Sequence, residues 1–322
     1  MVSVVIRAYR RPVALLELVQ RLRAQSCGSF EVVIFEQSED PDLLKQLRAC
    51  DRKLRVIAGS PRDPPAARNE AVRHTKGEII LFIDDDDLPV DTHWIDQHLS
   101  NYRDPRCMGV VGRTTSDPEG NGRPRFPRVW RRVAMRQTFF KDTVAHASNT
   151  LRKRDVDFLL GSNASVRRSL IERIGGWDEG IPMHEEQSFA IKFQRKRGPG
   201  EHFVFDPNPA ILRRTNLAGG LSRRTRHDWY AHELEARLFY YEHVVGHYFP
   251  LRYRFLYPLF VLRSLEQVLC WIWDRDNSHW PLDERLRAST RLGPSLAEAL
   301  RFRRFSANDV RRVERISFAT TP

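Results

Sequence analysis

Five short apolar runs, spaced by segments of helical periodicity, constrain what the first third of this chain can fold into. Val2–Ile6, Phe30–Phe35, Leu54–Ala58, Ile79–Ile83 and Met108–Val111 read as strands. Runs this short and this rich in branched residues suit strands covered on both faces. Between them, Pro12 can open a helix whose apolar stripe is Leu15, Leu18, Val19 and Leu22. Pro41–Leu47 and Ala66–His74 read as further helices, the second stopped by Lys76-Gly77. Another begins at Pro89 and Asp91 and carries Trp94, Ile95 and Leu99. Strands alternating with helices imply an α/β fold, a mostly parallel sheet flanked by helices.

The fourth strand runs directly into Asp84-Asp85-Asp86-Asp87. Adjacent carboxylates repel one another, so folding gains nothing from them unless a cation or a solvated loop absorbs the charge. The carboxyl edge of such a sheet is where α/β proteins hold metals and phosphates. An Asp-x-Asp pair there can hold Mg²⁺ or Mn²⁺ against a diphosphate, while the plain alternative is a solvated acidic turn. Glu36, at the end of the second strand, occupies the equivalent edge, where a carboxylate can accept hydrogen bonds from a base or ribose. Arg68, in Ala66-Ala67-Arg68-Asn69, offers a planar fork of donors to phosphate or carboxylate. Glu185-Glu186 follow a Gly/Pro loop at a helix start and suit a general base and its partner; an ordinary acidic first turn is the competing reading.

Beyond the fifth strand, residues 114–154 are rich in Gly, Pro, Arg and Ser and read as a long loop over the sheet edge. Regular structure is expected again at Phe158–Leu160. A helix then begins near Arg168 and ends at Gly175-Gly176, and another spans Glu185–Gln194. From Asp228 onward the chain reads as helical, aromatic and interleaved with arginine.

Composition bounds the alternatives. The 322 residues carry 53 basic and 41 acidic side chains, for a net charge of +12. A basic surface fits anionic partners, nucleic acid among them, yet the sharpest motif is acidic and no nucleic-acid module is present, so no nucleic-acid partner is expected. Cys27, Cys50, Cys107 and Cys270 form neither a CxxC nor a Cys/His cluster, which points to a reducing cytoplasm. The N-terminus shows no signal-peptide pattern, and no run reaches the ~20 apolar residues of a membrane span.

In their order along the chain, these segments resemble inverting family 2 glycosyltransferases. The resemblance rests on Val2–Ile6, Phe30–Ile34, Ala67-Arg68-Asn69, Lys76–Asp87 and Gly175-Gly176-Trp177-Asp178-Glu179 followed by Glu185-Glu186, and it covers residues 2–215. It implies a GT-A-like (Rossmann-like) fold, a nucleotide-diphosphate sugar donor, Mn²⁺ or Mg²⁺, and inversion at the anomeric carbon. By the same resemblance Glu36, Arg68, Asp84 and Asp85 serve the donor nucleotide, and Asp86 and Asp84 the metal. Glu186 is then the catalytic base and Glu185 its neighbour, with Ser162, Asn163, Trp177 and Asp178 on the acceptor side. The family has Asp where this chain has Glu36 and Glu186, and often a late histidine where this chain reads Ile211-Leu212-Arg213-Arg214. Arg213, Arg223 or Arg224 are the candidates to reach the diphosphate instead.

The implied organisation is a GT-A unit over residues 1–227, with nucleotide-binding (1–112) and acceptor (113–227) halves, and a helical C-terminal extension over 228–322. The expected acceptor is a saccharide or a lipid-linked group in bacterial surface polysaccharide or glycoconjugate assembly. The aromatic and basic C-terminal region reads either as core packing or as a surface for an anionic membrane, which would make the protein peripheral on the inner face of the plasma membrane. The tail from Arg301 reads as a basic helix or a disordered arm. A nucleotidyltransferase and a non-catalytic domain that binds a sugar nucleotide or a protein partner remain the alternatives.

Overall fold

A computed structural model describes residues 1–50, 54–116, 135–142, 151–214, 217, 219, 226–273, 281–301 and 310–318. The alternation in the sequence becomes β1 (Val2–Ala8), α1 (Pro12–Arg23), β2 (Phe30–Glu36), α2 (Pro41–Cys50), β3 (Leu54–Ala58), α3 (Pro64–Arg73) and β4 (Ile79–Asp84). Then come β5 (Asp87–Pro89), α4 (Trp94–Ser100), β6 (Cys107–Ser116), β7 (Arg154–Val156), β8 (Ala164–Arg167), α5 (Arg168–Ile174), α6 (Glu185–Lys196) and β9 (His202–Arg213). The helical remainder is α7 (Arg226–Tyr240), a π-helical turn at Tyr241–Val245, α8 (Pro250–Ile272) and α9 (Leu282–Arg301).

The strands form one sheet in the order β3-β2-β1-β4-β8-β6-β9-β5, with β7 also on β9. β3, β2, β1 and β4 run parallel, as expected. β8 then pairs antiparallel with both β4 and β6, so the second half of the sheet is mixed. Period-two alternation divides each parallel strand between two cores. Val4, Ile6, Val32, Ile34 and Leu81 pack under α1, α2 and α4. Val5, Val33, Phe35, Ile80 and Phe82 pack on the opposite face against α3, α5 and α6.

Four local points differ from the sequence reading, one of them a strand that the reading did not include. Phe158–Leu160 is irregular chain, and the strand lies just before it at β7. Phe158 and Leu159 are buried, so the apolar run signalled burial and not strand. The helix expected from Pro89 begins at Trp94, because Asp87–Pro89 instead pairs antiparallel with Ile211–Arg213. β9 was hidden by Pro207 and Pro209, which cannot donate to a ladder. The pairing of β6 with β9 absorbs them through a register shift between Val111 and Arg113.

The fourth concerns the membrane criterion. α8 has 23 residues and a window of mean hydropathy 1.3, long and apolar enough to cross a membrane by length and composition alone. Its interspersed Arg252, Arg254 and Arg263 break the contiguous run without making the helix polar. One stripe of α8, comprising Leu251, Phe255, Leu259 and Leu262, is exposed, and Phe260, Ser264, Val268 and Ile272 are buried on the other side.

Candidate functional site

The parallel register brings the strand-end side chains together. Ala8 stands opposite Glu36 and Arg7 opposite Asp84, so β1, β2 and β4 end at one edge. Arg7 Nη2 donates to Asp84 Oδ1 at 2.7 Å. Burial alone would raise the Asp84 carboxyl, yet Arg7 and Arg213 hold it below its ordinary value.

The other three aspartates have different neighbours. Asp85 is buried and closes the turn after β1, accepting from Tyr9 N (3.0 Å) and Arg11 Nη1 (2.8 Å). Burial nevertheless raises its carboxyl. Asp87 is fully buried, held in a two-pronged pair with Arg213 (2.7 and 2.5 Å) and accepting from Ser162 Oγ at 2.5 Å. Arg213 is thereby raised above its ordinary value in spite of burial. Asp86 shares Arg11 with Asp85, at 2.9 Å. Burial, then the charges of Asp87 and Asp84, push its carboxyl up to about 6.

Asp84, Asp86 and Asp87 can each offer one oxygen within 4.8 Å of the others. Both Asp87 oxygens are engaged by Arg213 and Ser162, which leaves Asp84 and Asp86 as the better-suited pair. The elevation of Asp86 marks a carboxylate with too little positive charge around it. An all-oxygen, carboxylate donor set of this kind fits a hard divalent cation.

Glu36 is buried at the end of β2. Its Oε1 accepts from Ser38 N at 2.8 Å, and its Oε2 is buried with no partner among the described residues. An orphaned buried acceptor is costly unless a ligand donates to it.

Arg68 is presented by α3, whose start is fixed by Pro64-Pro65 and by the Asp63 cap on Ala66 N (2.7 Å). It is 1% exposed. Its guanidinium lies 4.9 Å from the Trp177 ring and 5.9 Å from Phe82, and Nη2 donates to Gly161 O at 3.3 Å. Burial, then the charge of Arg7, lowers its pKa. Nη1 is 3.6 Å from Glu185 Oε1, and neither Nη1 nor Nε has a hydrogen bond among the described residues. A buried cation with hydrogen-bonding capacity left over on Nε, and on Nη1 beside Glu185, suits an added anion.

Glu185 and Glu186 open α6 after His184, whose φ of 70° turns the chain sharply into the helix. Glu185 is buried, and burial followed by the charge of Glu186 raises its carboxyl. Glu186 Oε1 accepts from Gly161 N at 3.0 Å. A Cβ on Gly161 would fall 2.4 Å from Arg68 Nη2 and 2.9 Å from Glu186 Oε1, so only glycine lets both groups close on this segment. The next residue, Ser162, accepts from Asp84 N at 3.0 Å and donates to Asp87. Gly161-Ser162 therefore touches the acidic strand end with one residue and the arginine–glutamate group with the other.

Asn163 and Asp178 have their side-chain polar groups committed internally, and Trp177 its backbone ones. The Asn163 amide bonds to Trp94 Nε1, His98, Arg113 O and Pro209 O. Trp177 stacks on Phe189 at 4.4 Å, and its backbone N and O are both held by Asn69. Asp178 is fully buried against Lys192 and Ser188. Arg223 and Arg224 lie outside the described residues. Arg7 and Arg11 were not read from the sequence. Their one signal was position, at and just after the end of a strand parallel to the acidic one.

Comparisons with known proteins bear on the fold and the family. The chain resembles the solved mannosyltransferase PcManGT from Pyrobaculum calidifontis in complex with GDP-Man and Mn²⁺, with a TM-score of 0.54 and 16% identity over 94% of this chain and 81% of that one. It also resembles residues 1–349 of S. aureus TarS in complex with UDP-GlcNAc, with a TM-score of 0.52 and 15% identity over 92% and 90%. At these identities the likeness establishes the fold, a GT-A-type α/β architecture. Among curated proteins, O-antigen biosynthesis protein RfbC of Myxococcus xanthus is 32% identical over 123 residues, 37% of this chain and 10% of its own length. An uncharacterized glycosyltransferase of Rickettsia felis is 30% identical over 89 residues, 27% of this chain and 15% of its own. The chain thus matches only a small part of these relatives. The profile described as "Glycosyl transferase family 2" matches residues 3–175, more than half of the 322 residues. The chain belongs to glycosyl transferase family 2.

Proposed function

We propose that this protein is a metal-dependent, inverting glycosyltransferase that moves a sugar from a nucleotide-diphosphate donor to an acceptor hydroxyl. The observation that carries the reading is Gly161-Ser162, which contacts Asp84 and Asp87 through Ser162 and Arg68 and Glu186 through Gly161. A donor anchored at the carboxylates and an acceptor activated at Glu186 would then meet over one short segment.

In this reading Glu36 accepts from the nucleoside through its orphaned oxygen, and Arg68 turns its remaining donors toward the diphosphate. Asp84 and Asp86 hold Mn²⁺ or Mg²⁺, which when bound would offset the charge developing on the departing diphosphate. Glu186 takes the proton from the acceptor hydroxyl as that oxygen attacks the anomeric carbon. The carbon–diphosphate bond breaks on the opposite face, so configuration inverts. Glu185, anchored to Arg68, orients its neighbour. Asp85, Asn163, Trp177 and Asp178 support a framework role in place of the donor and acceptor contacts expected for them. The GT-A unit is taken as residues 1–227 and the C-terminal extension as 228–322, whose described helices are α7, α8 and α9 and whose residues 310–318 return to the core of the sheet. The PcManGT and TarS complexes carry GDP-Man and UDP-GlcNAc, so both nucleotides belong among the donors tested. The relationship to an O-antigen biosynthesis protein supports bacterial surface polysaccharide or glycoconjugate assembly as the setting.

A thermal-shift screen of nucleotide sugars with and without Mn²⁺ tests the donor. One nucleotide sugar at 100 times its Kd should stabilise the chain by about 2.7 kcal/mol, with Mn²⁺ required for the full effect. No stabilisation by any donor in either condition would reject the reading.

The extension supports a peripheral location on the inner face of the plasma membrane. The exposed stripe of α8 is continuous, with Leu251 71%, Phe255 72%, Leu259 54% and Leu262 64% exposed, and exposed Arg254 lies within it. Apolar side chains flanked by arginine complement an anionic bilayer. Full-length protein should float with phosphatidylglycerol vesicles at low salt. The pair Phe255→Glu and Leu259→Glu should lose flotation while keeping the donor-dependent thermal shift. Wild-type protein that stays unbound at low salt, or self-associates through this stripe, would rule out the membrane role.

A further inference from the structure

We infer that residues 310–318 form a strap that positions the candidate acid–base helix, with Arg312 acting on Glu185 and Glu186 through Asp178; this rests on the glutamate roles proposed above. The tail is neither a plain basic helix nor a loose arm over this stretch. Arg311 pairs antiparallel with Glu179, with N–H···O distances of 3.0 Å in both directions. Val313 and Ile316 are 6% and 7% exposed and enter the core that holds Phe82, Trp177 and Phe189. A Cβ on Gly175 would lie 1.9 Å from Val313 O, and one on Gly176 2.3 Å from Ile316 Cδ1. The two glycines end α5 and also give the strap room to cross.

A buried charged hub lies beneath the crossing. Asp178 accepts from Arg312 Nη1 (3.0 Å), Val313 N (3.2 Å), Lys192 Nζ (3.2 Å) and Ser188 Oγ (2.8 Å). Lys192 Nζ donates also to Val313 O (2.8 Å) and Gly176 O (2.7 Å). Ser188 and Lys192 belong to α6, the helix that opens with Glu185-Glu186. Burial alone would raise the Asp178 carboxyl, yet Lys192 and Arg312 hold it below its ordinary value. The strap thus supplies one of the two cations that keep Asp178 charged, and charged Asp178 fixes the first turns of α6. A second route runs from Arg311 through Glu179 to Asn69 Nδ2 (2.9 Å), the neighbour of Arg68.

Arg312→Ala and Arg312→Lys in the full-length chain test this. Arg312 is not among the apolar core residues; besides Asp178 it holds His243 O and lies 5.6 Å from the Tyr248 ring. The alanine variant should lower kcat about tenfold or more with donor KM nearly unchanged, because displaced catalytic groups cost rate before they cost donor binding. Lysine should recover much of the loss, and backbone amides of residues 185–188 should exchange faster in the alanine variant. An alanine variant with lowered Tm but wild-type kcat and unchanged exchange at 185–188 would overturn the strap. Wild-type protein inactive on every nucleotide sugar would overturn the glycosyltransferase reading alone, and the exchange measurement would still decide the strap.

Discussion

Asp86→Ala should reduce glycosyl transfer by roughly 10³-fold while leaving the unliganded protein at least as stable as wild type. The rate estimate takes about 4 kcal/mol for charge stabilisation at the departing diphosphate. The stability expectation comes from the pairing pattern of the four aspartates. Arg7 contacts Asp84, Arg11 contacts Asp85, and Arg213 contacts Asp87. Among the described residues Asp86 contacts a cation through its share of Arg11, and burial with Asp87 and Asp84 outweighs Arg213 and Arg11 to push its carboxyl up to about 6. Removing it relieves repulsion inside the folded chain, so Tm should hold or rise. The Mn²⁺-dependent part of the donor thermal shift should vanish. Wild-type turnover in this variant would remove Asp86 from the metal site, and a large fall in Tm would show that its charge is structural.

Glu186→Gln should lower kcat by roughly 10²- to 10⁴-fold, the range supplied by a positioned general base. Glutamine keeps the length of the side chain and an oxygen able to accept from Gly161 N, so the contact now made at 3.0 Å can persist. Donor binding should therefore match wild type in the thermal-shift assay, which separates loss of chemistry from loss of the site. In the proposed role Glu186 is one methylene longer than the aspartate that the resemblance leads one to expect, and its bond with Gly161 N takes up that reach. Activity within a few-fold of wild type would transfer the base role to another group.

Much of the architecture was legible because it depends on local rules. Apolar runs broken by amphipathic segments required a parallel α/β half, and Gly175-Gly176 marked a helix end. Glu36 and Asp84 were legible as strand-end groups because parallel strands place their carboxyl ends on one edge. The second half was harder for identifiable reasons. Pro207 and Pro209 masked β9, although a register shift lets the sheet accept them. Phe158 and Leu159 mimicked a strand because burial and strand formation share an apolar signature. The tail looked basic and loose because its arginines outnumber the apolar pair, Val313 and Ile316, that seats it in the core.

The sequence by itself determined the five strands of the first third, β1 to β4 and β6, the acidic strand end and the family, since each is written in contiguous residues. Only the tertiary structure decided how the four aspartates differ. Arg7 arrives through strand register, Arg11 from the turn after β1, Arg213 from β9 and Ser162 from the chain before β8. The charge state and freedom of a carboxylate depend on neighbours within a few ångströms, and those come from distant positions, as Asp87 and Arg213 do at 126 residues apart. The electrostatic difference among four identical residues therefore arises when the fold gives three of them an arginine and leaves Asp86 to share one.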